Sequence, residues 1–388
     1  MPSPGRWWTD EWEGRRHEAL ASYVRHIEEE QYDIFNGFHQ DAWLYQQCRV
    51  LRAEGEWHED AQSGAVTTNL AESLVDSLVA MVARHLVRIT YPTDGADWST
   101  QRQARRLERW NEAEFARTSY YDRRTEMFRD ACVTGTGVLA FSQQEKLPTV
   151  ERALIDEFIV DETTCRYGVP PWLQRRRLVD AEALADQFPK KADEIMQARL
   201  GSRIWTSYTR LRSDQIVLLE GWKLPSGGKP GKYVGAVPGV DLFDEKWTSS
   251  RYPFVFFRWS PKMTGFYGRG VVRQIAGKQL RINKLNYVLQ RGQDLVARPR
   301  LFLAGKDAHL KPLIDNGIAS TYVTTSGREY KFTTSEAFGP EIYQQRRELI
   351  AEAREEIGIS ESASSGTRPP GAASGIAIPP SRSIGGRT

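Results

Sequence analysis

Residues 271–298 read VVRQIAGKQLRINKLNYVLQRGQDLVAR, a run without proline that stops at Pro299. Proline disfavours helical backbone in the residue before it, so Arg298 predicts a helix boundary. At 1.5 Å per residue, the run predicts a helix about 40 Å long.

This predicted helix has two chemically different sides. At 100° per residue, four apolar residues spaced seven apart form one stripe: Ile275, Ile282, Leu289 and Val296. Four basic residues fall on the opposite side: Arg273, Lys284, Arg291 and Arg298. The apolar stripe predicts packing against neighbouring helices. The basic side either contacts DNA phosphates or pairs with an acidic helix face, and the commonness of charged faces favours pairing.

A short β-rich segment and a second helix follow. Pieces at 301–303, 320–324 and 330–333, with a turn at 316–317, predict a small β-module within 299–337. Pro340 suits the first position of a helix. This helix is acidic through five residues: Glu341, Glu348, Glu352, Glu355 and Glu356. Beyond residue 360 the chain is rich in Ser, Gly and Pro, which predicts a flexible loop or tail.

Helices precede strands in the N-terminal part of the chain. Residues 9–54 predict two surface helices broken near Asn36–Gly37, and Asn69 with Glu72 predicts a capped, mostly buried helix reaching Leu86. Further helices are predicted at 97–118 and from 121 to the glycine turn near 135. Strands are predicted from 138, at 151–160, 215–222, 233–237 and 254–259, with a helical insertion at 180–200. This order predicts an α+β fold.

The composition sets limits on function. The 53 Lys and Arg residues nearly balance 50 Asp and Glu residues, giving a formal net charge of +3, so any DNA contact must be local. Three widely spaced cysteines fit neither a disulfide framework nor a zinc site, which indicates a reducing compartment. No signal sequence or membrane-spanning apolar run is found, which argues against secretion and membrane insertion.

No motif in the sequence predicts catalysis. No P-loop occurs, and Gly135-Thr-Gly137 precedes a predicted strand, which favours a tight turn over a phosphate cradle. The six histidines show no metal-ligand spacing. Four carboxylates could form a nuclease site but are better explained as solvated turns and strand edges: Asp156, Glu157, Asp161 and Glu162. We therefore expect a protein without enzymatic activity, cofactor or metal.

Several motifs, taken in order, resemble the portal protein, or head-to-tail connector, of tailed double-stranded DNA phages. They are Asn69-Leu-Ala-Glu-Ser-Leu-Val-Asp, Asp94-Gly-Ala-Asp-Trp98, Arg129-Asp-Ala-Cys-Val-Thr-Gly-Thr-Gly-Val138, Pro253-Phe-Val, Gly265-Phe-Tyr-Gly-Arg-Gly, Ile282-Asn-Lys, Glu356-Ile-Gly-Ile-Ser360 and Pro370-Gly-Ala-Ala-Ser-Gly375. The resemblance lies in their order and covers residues 65–375.

The resemblance implies a domain plan. Residues 1–262 correspond to an α/β wing, 263–298 to the first stem helix, 299–337 to the clip and 338–360 to the second stem helix. Residues 361–388 correspond to the start of the tunnel loop. Portal proteins usually continue into a long helix and a crown. Pro379-Pro380 would interrupt that helix, so the crown is expected to be absent.

The resemblance also implies partners. Portal subunits form a homo-oligomeric ring, usually dodecameric, at one capsid vertex of the virion, after assembly in the host cytoplasm. The ring conducts double-stranded DNA without sequence preference. It contacts the terminase large subunit, the major capsid and scaffolding proteins, and head-tail adaptor or tail proteins. Two other interpretations stay open: a metal-dependent nucleic-acid-processing enzyme, and another self-associating virion structural protein.

Overall fold

A computed structural model describes residues 6–47, 68–144, 147–166, 168–198, 214–297, 300–304, 320–324, 331–333 and 339–358. The chain divides into two compact units. The first unit is Met1–Gln46 with Val79–Gln274, and the second is Gln47–Leu78 with Ile275–Thr388. The protein is mixed α and β, consistent with the predicted α+β class.

The helices of the described residues are numbered in chain order. They are α1 (Arg16–Glu30), α2 (Tyr32–Gln47), α3 (Leu70–Ala83), α4 (Trp98–Arg117), α5 (Tyr120–Thr134), α6 (Ala181–Gln187), α7 (Ala192–Ala198), α8 (Val271–Ala297) and α9 (Pro340–Ile357). The predicted helices at 97–118, from 121, at 271–298 and from Pro340 are confirmed. The predicted insertion at 180–200 contains α6 and α7, and the Asp180 side chain accepts a hydrogen bond from the Ala183 amide at the start of α6.

The strands of the described residues form three sheets. They are β1 (Thr136–Gln144), β2 (Leu147–Ala153), β3 (Phe158–Ile159), β4 (Trp172–Asp180), β5 (Gln215–Lys223), β6 (Gly231–Val237), β7 (Val240–Trp247), β8 (Phe254–Arg258), β9 (Arg300–Ala304), β10 (Ser320–Thr324) and β11 (Lys331–Thr333). The first unit has an antiparallel five-stranded sheet, ordered β3-β4-β5-β6-β7, and an antiparallel three-stranded sheet, ordered β2-β1-β8.

The core of the first unit lies between α1 and the five-stranded sheet. Leu20 is fully buried, and Tyr23 and Ile27 on the same side of α1 are nearly so. The Asp241 carboxylate, from β7, accepts hydrogen bonds from the Arg16 and His17 amides at 2.9 and 2.6 Å and so caps the start of α1. The prediction of a surface helix agrees with α1, whose apolar face packs against the sheet while Arg25 and Glu29 on its other side are exposed.

The predicted break at Asn36–Gly37 is wrong. The chain breaks at Gln31, between α1 and α2, and α2 continues through both residues. A Cβ atom on Gly37 would lie 2.5 Å from Nη2 of Arg273. The glycine is therefore explained by the close approach of a guanidinium, not by a turn.

The predicted cap at Asn69 is confirmed for α3. Its Oδ1 accepts a hydrogen bond from the Glu72 amide at 3.1 Å, and its Nδ2 donates to Oε2 of Glu72 at 2.9 Å. The helix ends at Ala83, however, and Leu86 lies beyond it with 60% of its surface exposed. The described part of the second unit also holds a small sheet, ordered β10-β9-β11, in which β10 is parallel and β11 antiparallel to β9. The predicted turn at 316–317 lies outside the described residues.

Candidate assembly site on helices α8 and α9

Helix α9 and the part of α8 from Ile275 onward belong to the second unit and run antiparallel to each other. Lys278, near the start of α8, donates from Nζ to Oε2 of Glu356 at 2.8 Å, near the end of α9. Asn286, farther along α8, accepts at Oδ1 from Nε of Arg346 at 2.7 Å, near the start of α9. Residue numbers that rise on one helix while they fall on the other require opposite directions. Because β9–β11 lie between α8 and α9 in sequence, the pair is a helical hairpin.

A buried glutamine joins α8 to the start of α3. The Gln279 side chain is fully buried, and its Oε1 accepts from the Leu70 and Ala71 amides at 2.9 and 3.2 Å. Its Nε2 donates to the Thr68 carbonyl at 2.7 Å and to Oδ1 of Asn283 at 2.9 Å. The first amides of a helix have no partner within that helix, so Gln279 supplies acceptors that α3 needs.

Asn286 and Arg346 extend this polar contact to α9. Asn286 is 8% exposed and donates from Nδ2 to Oγ1 of Thr68 at 3.2 Å, and Nη2 of Arg346 donates to the same oxygen at 3.2 Å. Sequence reasoning missed these residues. The available signal was the spacing of Gln279, Asn283 and Asn286, which share one side of α8 next to the apolar stripe.

The four candidate packing residues have the following positions. Ile275 and Ile282 are fully buried, and Leu289 is 8% exposed. Val296 belongs to α8, but its side chain lies outside the described residues. In the described part of α8, the apolar stripe therefore faces the protein interior.

The four candidate basic residues do not form a single set. Arg273 belongs to the first unit and is paired there, whereas Lys284 is exposed on the second unit and has no hydrogen bond or ion pair among the described residues. The side chain of Arg291 and all of Arg298 lie outside the described residues. Arg281, which sequence reasoning passed over, is exposed and likewise has no carboxylate partner in the described part of the chain.

Arg273 is held by a buried carboxylate. Its Nε lies 3.0 Å from Oδ1 and 3.1 Å from Oδ2 of Asp41, and the Asp41 side chain is only 7% exposed. Burial raises the pKa of the Asp41 carboxyl to about 6, although Arg273 pulls it down. The pair occupies one side of a cleft that also contains Lys262 and Tyr267. Arg273 is thus committed to an ion pair within its own unit.

The exposed faces of α8 and α9 carry opposite charges. The outward face of α8 presents Arg281, Lys284 and the half-exposed Leu280. Four exposed glutamates fall on one side of α9: Glu341, Glu348, Glu352 and Glu355. In α9, Ala353 is the single fully buried residue, so most of the surface of α9 within this unit is open. The hairpin therefore presents one basic and one acidic face.

Three of the four carboxylates of the possible nuclease site have separate partners: Glu157, Asp161 and Glu162. Glu157 is paired with Arg175 at 2.7 Å. Burial raises the pKa of the Glu157 carboxyl, and the positive charge of Arg175 opposes this shift without cancelling it. Asp161 accepts from the Thr163 amide at 2.9 Å, and Glu162 accepts from the Tyr267 amide at 3.2 Å. Within the described ranges, no three His, Cys, Asp or Glu side chains converge as a metal site would require. The geometry therefore gives this interpretation no support.

The glycines near residue 135 are explained by close packing. Gly135 ends α5 in the left-handed region with φ of 94°, and a Cβ there would lie 2.4 Å from the Gly268 carbonyl oxygen. A Cβ on Gly137 would lie 2.0 Å from the Met127 carbonyl oxygen.

Among the helices described, none is both long and apolar enough to cross a membrane.

No protein-family model matches the sequence, and a comparison with curated proteins finds no match.

Proposed function

We propose that this chain is the subunit of a ring that forms the portal of a tailed-phage capsid and conducts double-stranded DNA during packaging and ejection. The observation that carries the proposal is the arrangement of the second unit. A long helix leads into a three-stranded sheet, and a second helix returns antiparallel to the first. Two stem helices joined by a clip, as the sequence resemblance implies, would have this order.

The charges on the hairpin suit ring formation. In a closed ring each subunit uses two different faces, one for each neighbour. The basic face with Arg281 and Lys284 and the acidic face with Glu348 and Glu355 would provide such a complementary pair. Opposite potentials across an interface fix the register of the subunits and exclude wrong partners.

In this proposal the ring is structural and has no catalytic site of its own. A separate terminase ATPase would dock on the clip, β9–β11, and drive the DNA. Head-tail adaptor or tail proteins would replace the terminase after packaging, and capsid and scaffolding proteins would surround the ring. The protein would assemble in the host cytoplasm and remain at one vertex of the virion.

Charge reversal tests the assembly face. Variant A carries Arg281→Glu and Lys284→Glu, and variant B carries Glu348→Lys and Glu355→Lys. Each variant alone places like charges on both faces of the hairpin, so we expect neither to form rings in negative-stain electron microscopy. A mixture of A and B restores opposite charges at every contact and should give rings in which the two variants alternate.

The matched control reverses charges elsewhere, with Glu182→Lys and Lys190→Glu, both exposed on the first unit. This control should form the same rings as the parent chain. Rings from A or B alone would remove the assembly role from these residues. A parent chain that gives no ring would overturn the portal proposal. Assemblies without an axial hole wide enough for duplex DNA would overturn it too, and would favour another self-associating virion protein.

A further inference from the structure

Helix α4 of the first unit carries a row of arginines next to an exposed tryptophan. Ala104 is its single buried residue, and 70% of the Trp98 surface is exposed. Four exposed arginines follow Trp98 along one side of the helix: Arg102, Arg105, Arg106 and Arg109. Together with Gln101 they line a surface groove. We call these five residues, Trp98 and the four arginines, the α4 stripe.

The glutamates of α4 bond to residues outside the stripe. Glu108 accepts a hydrogen bond from the Tyr91 amide at 3.2 Å. Two ion pairs engage the others: Glu112 with Arg88 at 3.8 Å, and Glu114 with Arg117 at 2.6 Å. As a result, none of the four stripe arginines has a carboxylate partner among the described residues. Arg102 stacks instead on the tryptophan of the stripe, with its guanidinium 5.1 Å from the centre of the Trp98 ring.

Positive charge is concentrated in the first part of α4. Residues 98–110 contain four arginines and one glutamate, which gives a formal charge of +3. A charge concentrated in three helical turns attracts a polyanion far more strongly than the same charge spread over the surface.

The spacing of the stripe fits a line of phosphates. Trp98, Arg102, Arg105 and Arg109 are separated by four, three and four residues and therefore follow one side of the helix for about 16 Å. Duplex DNA offers a charge about every 1.7 Å along its axis, so several phosphates lie within reach. Guanidinium groups bind phosphate oxygens through paired hydrogen bonds, and the row contains arginine but no lysine.

We propose that the α4 stripe binds the phosphate backbone of duplex DNA without sequence preference. The stripe consists of residues of the first unit and shares none with the proposed assembly faces of α8 and α9. An acidic protein segment is the competing partner. A regular and continuous line of anions favours DNA, because four neighbouring guanidiniums can be neutralised together without a specially matched sequence.

The test measures binding of the full chain to a fluorescently labelled duplex of mixed sequence, by anisotropy, between about 50 and 200 mM salt. The stripe variant replaces Arg102, Arg105, Arg106 and Arg109 with Gln. The matched control replaces four exposed arginines elsewhere with Gln: Arg25, Arg251, Arg269 and Arg347. Both variants lose the same formal charge, so a general electrostatic effect would weaken them equally.

We expect the stripe variant to bind at least about tenfold more weakly, with the slope of log affinity against log salt smaller by about 3 to 4. The control should keep the slope of the parent chain. Equal loss in both variants, or no loss in the stripe variant, would overturn the site. Displacement of the duplex by polyglutamate at equal charge would reassign the site to an acidic protein.

The oligomeric state of the same variants separates this proposal from the portal proposal. The stripe variant should show the same particles as the parent chain by electron microscopy, because the exposed faces of α8 and α9 are unchanged. Loss of DNA binding with unchanged rings supports the stripe. Loss of rings in the stripe variant would show instead that α4 is an assembly surface, and would overturn the DNA site.

Discussion

Replacement of Asp41 by Asn should remove a defined part of the pH dependence of stability. Burial raises the pKa of the Asp41 carboxyl from 3.8 to about 6, because desolvation outweighs the attraction of Arg273. Below pH 3.8 the carboxyl is protonated in both the folded and the unfolded chain. Between pH 3.8 and 6 it is ionised in the unfolded chain but still protonated in the folded one, so folding weakens as the pH rises.

The size of this effect follows from the two pKa values. Each pH unit in that window lowers the free energy of unfolding by about 1.4 kcal/mol, which gives about 3 kcal/mol in total. Above pH 6 the contribution is constant. The Asp41→Asn variant has no titrating group at this position. Its free energy of unfolding should therefore lack the decrease that the titration of Asp41 causes between pH 3.8 and 6.

The assay is urea denaturation of the parent chain and of Asp41→Asn at several pH values from 4 to 8, followed by tryptophan fluorescence. The difference in free energy of unfolding between the two should change by about 3 kcal/mol, mostly below pH 6. Asp33→Asn removes an exposed carboxylate from the same helix and serves as the control. Parallel curves for the parent chain and Asp41→Asn would refute the burial of an ionisable group at this position.

Three further substitutions test close packing and capping. Gly277→Ala, which meets no atom within 4 Å, should stabilise by up to about 1 kcal/mol through helix propensity. Gly37→Ala should stabilise by less than Gly277→Ala, because its Cβ would displace the guanidinium of Arg273 from Asp41. Thermal unfolding of both variants checks this, and equal shifts would contradict it. Gln279→Leu should lower stability by about 2–4 kcal/mol, since two buried amides of α3 lose their acceptor, and rapid hydrogen exchange at those amides should accompany the loss.

The sequence predicted those parts of the fold that are determined by residues a few positions away. The absence of proline and the seven-residue spacing predicted α8 to within one residue at its C-terminus, and Pro340 marked the start of α9. The cap at Asn69 was predicted from neighbouring residues and is present. In each case the residues that determine the structure lie within a few positions of it.

Features that depend on distant residues could not be predicted. Strand β4 was missed because three consecutive arginines obscure its alternation. The partners of Arg175, Arg176 and Arg177 are glutamates far away in sequence: Glu157, Glu28 and Glu220. Gly37 was assigned to a helix break because Arg273, which requires the space, is 236 positions away. The α4 stripe was overlooked because the separate bonds of its neighbouring glutamates appear only in three dimensions.

The net charge of the chain does not predict the proposed binding surfaces, because these surfaces also depend on how the fold arranges the charges. At physiological salt, charges act over about 8 Å, less than the diameter of a helix with its side chains, so local sorting matters more than the total. The stripe on α4 and the opposed faces of α8 and α9 would then respond differently to salt. DNA releases a condensed layer of counterions when it is neutralised, whereas a glutamate face has no such layer. Rising salt should therefore weaken DNA binding by α4 steeply, while contacts between α8 and α9 of neighbouring subunits weaken more gradually.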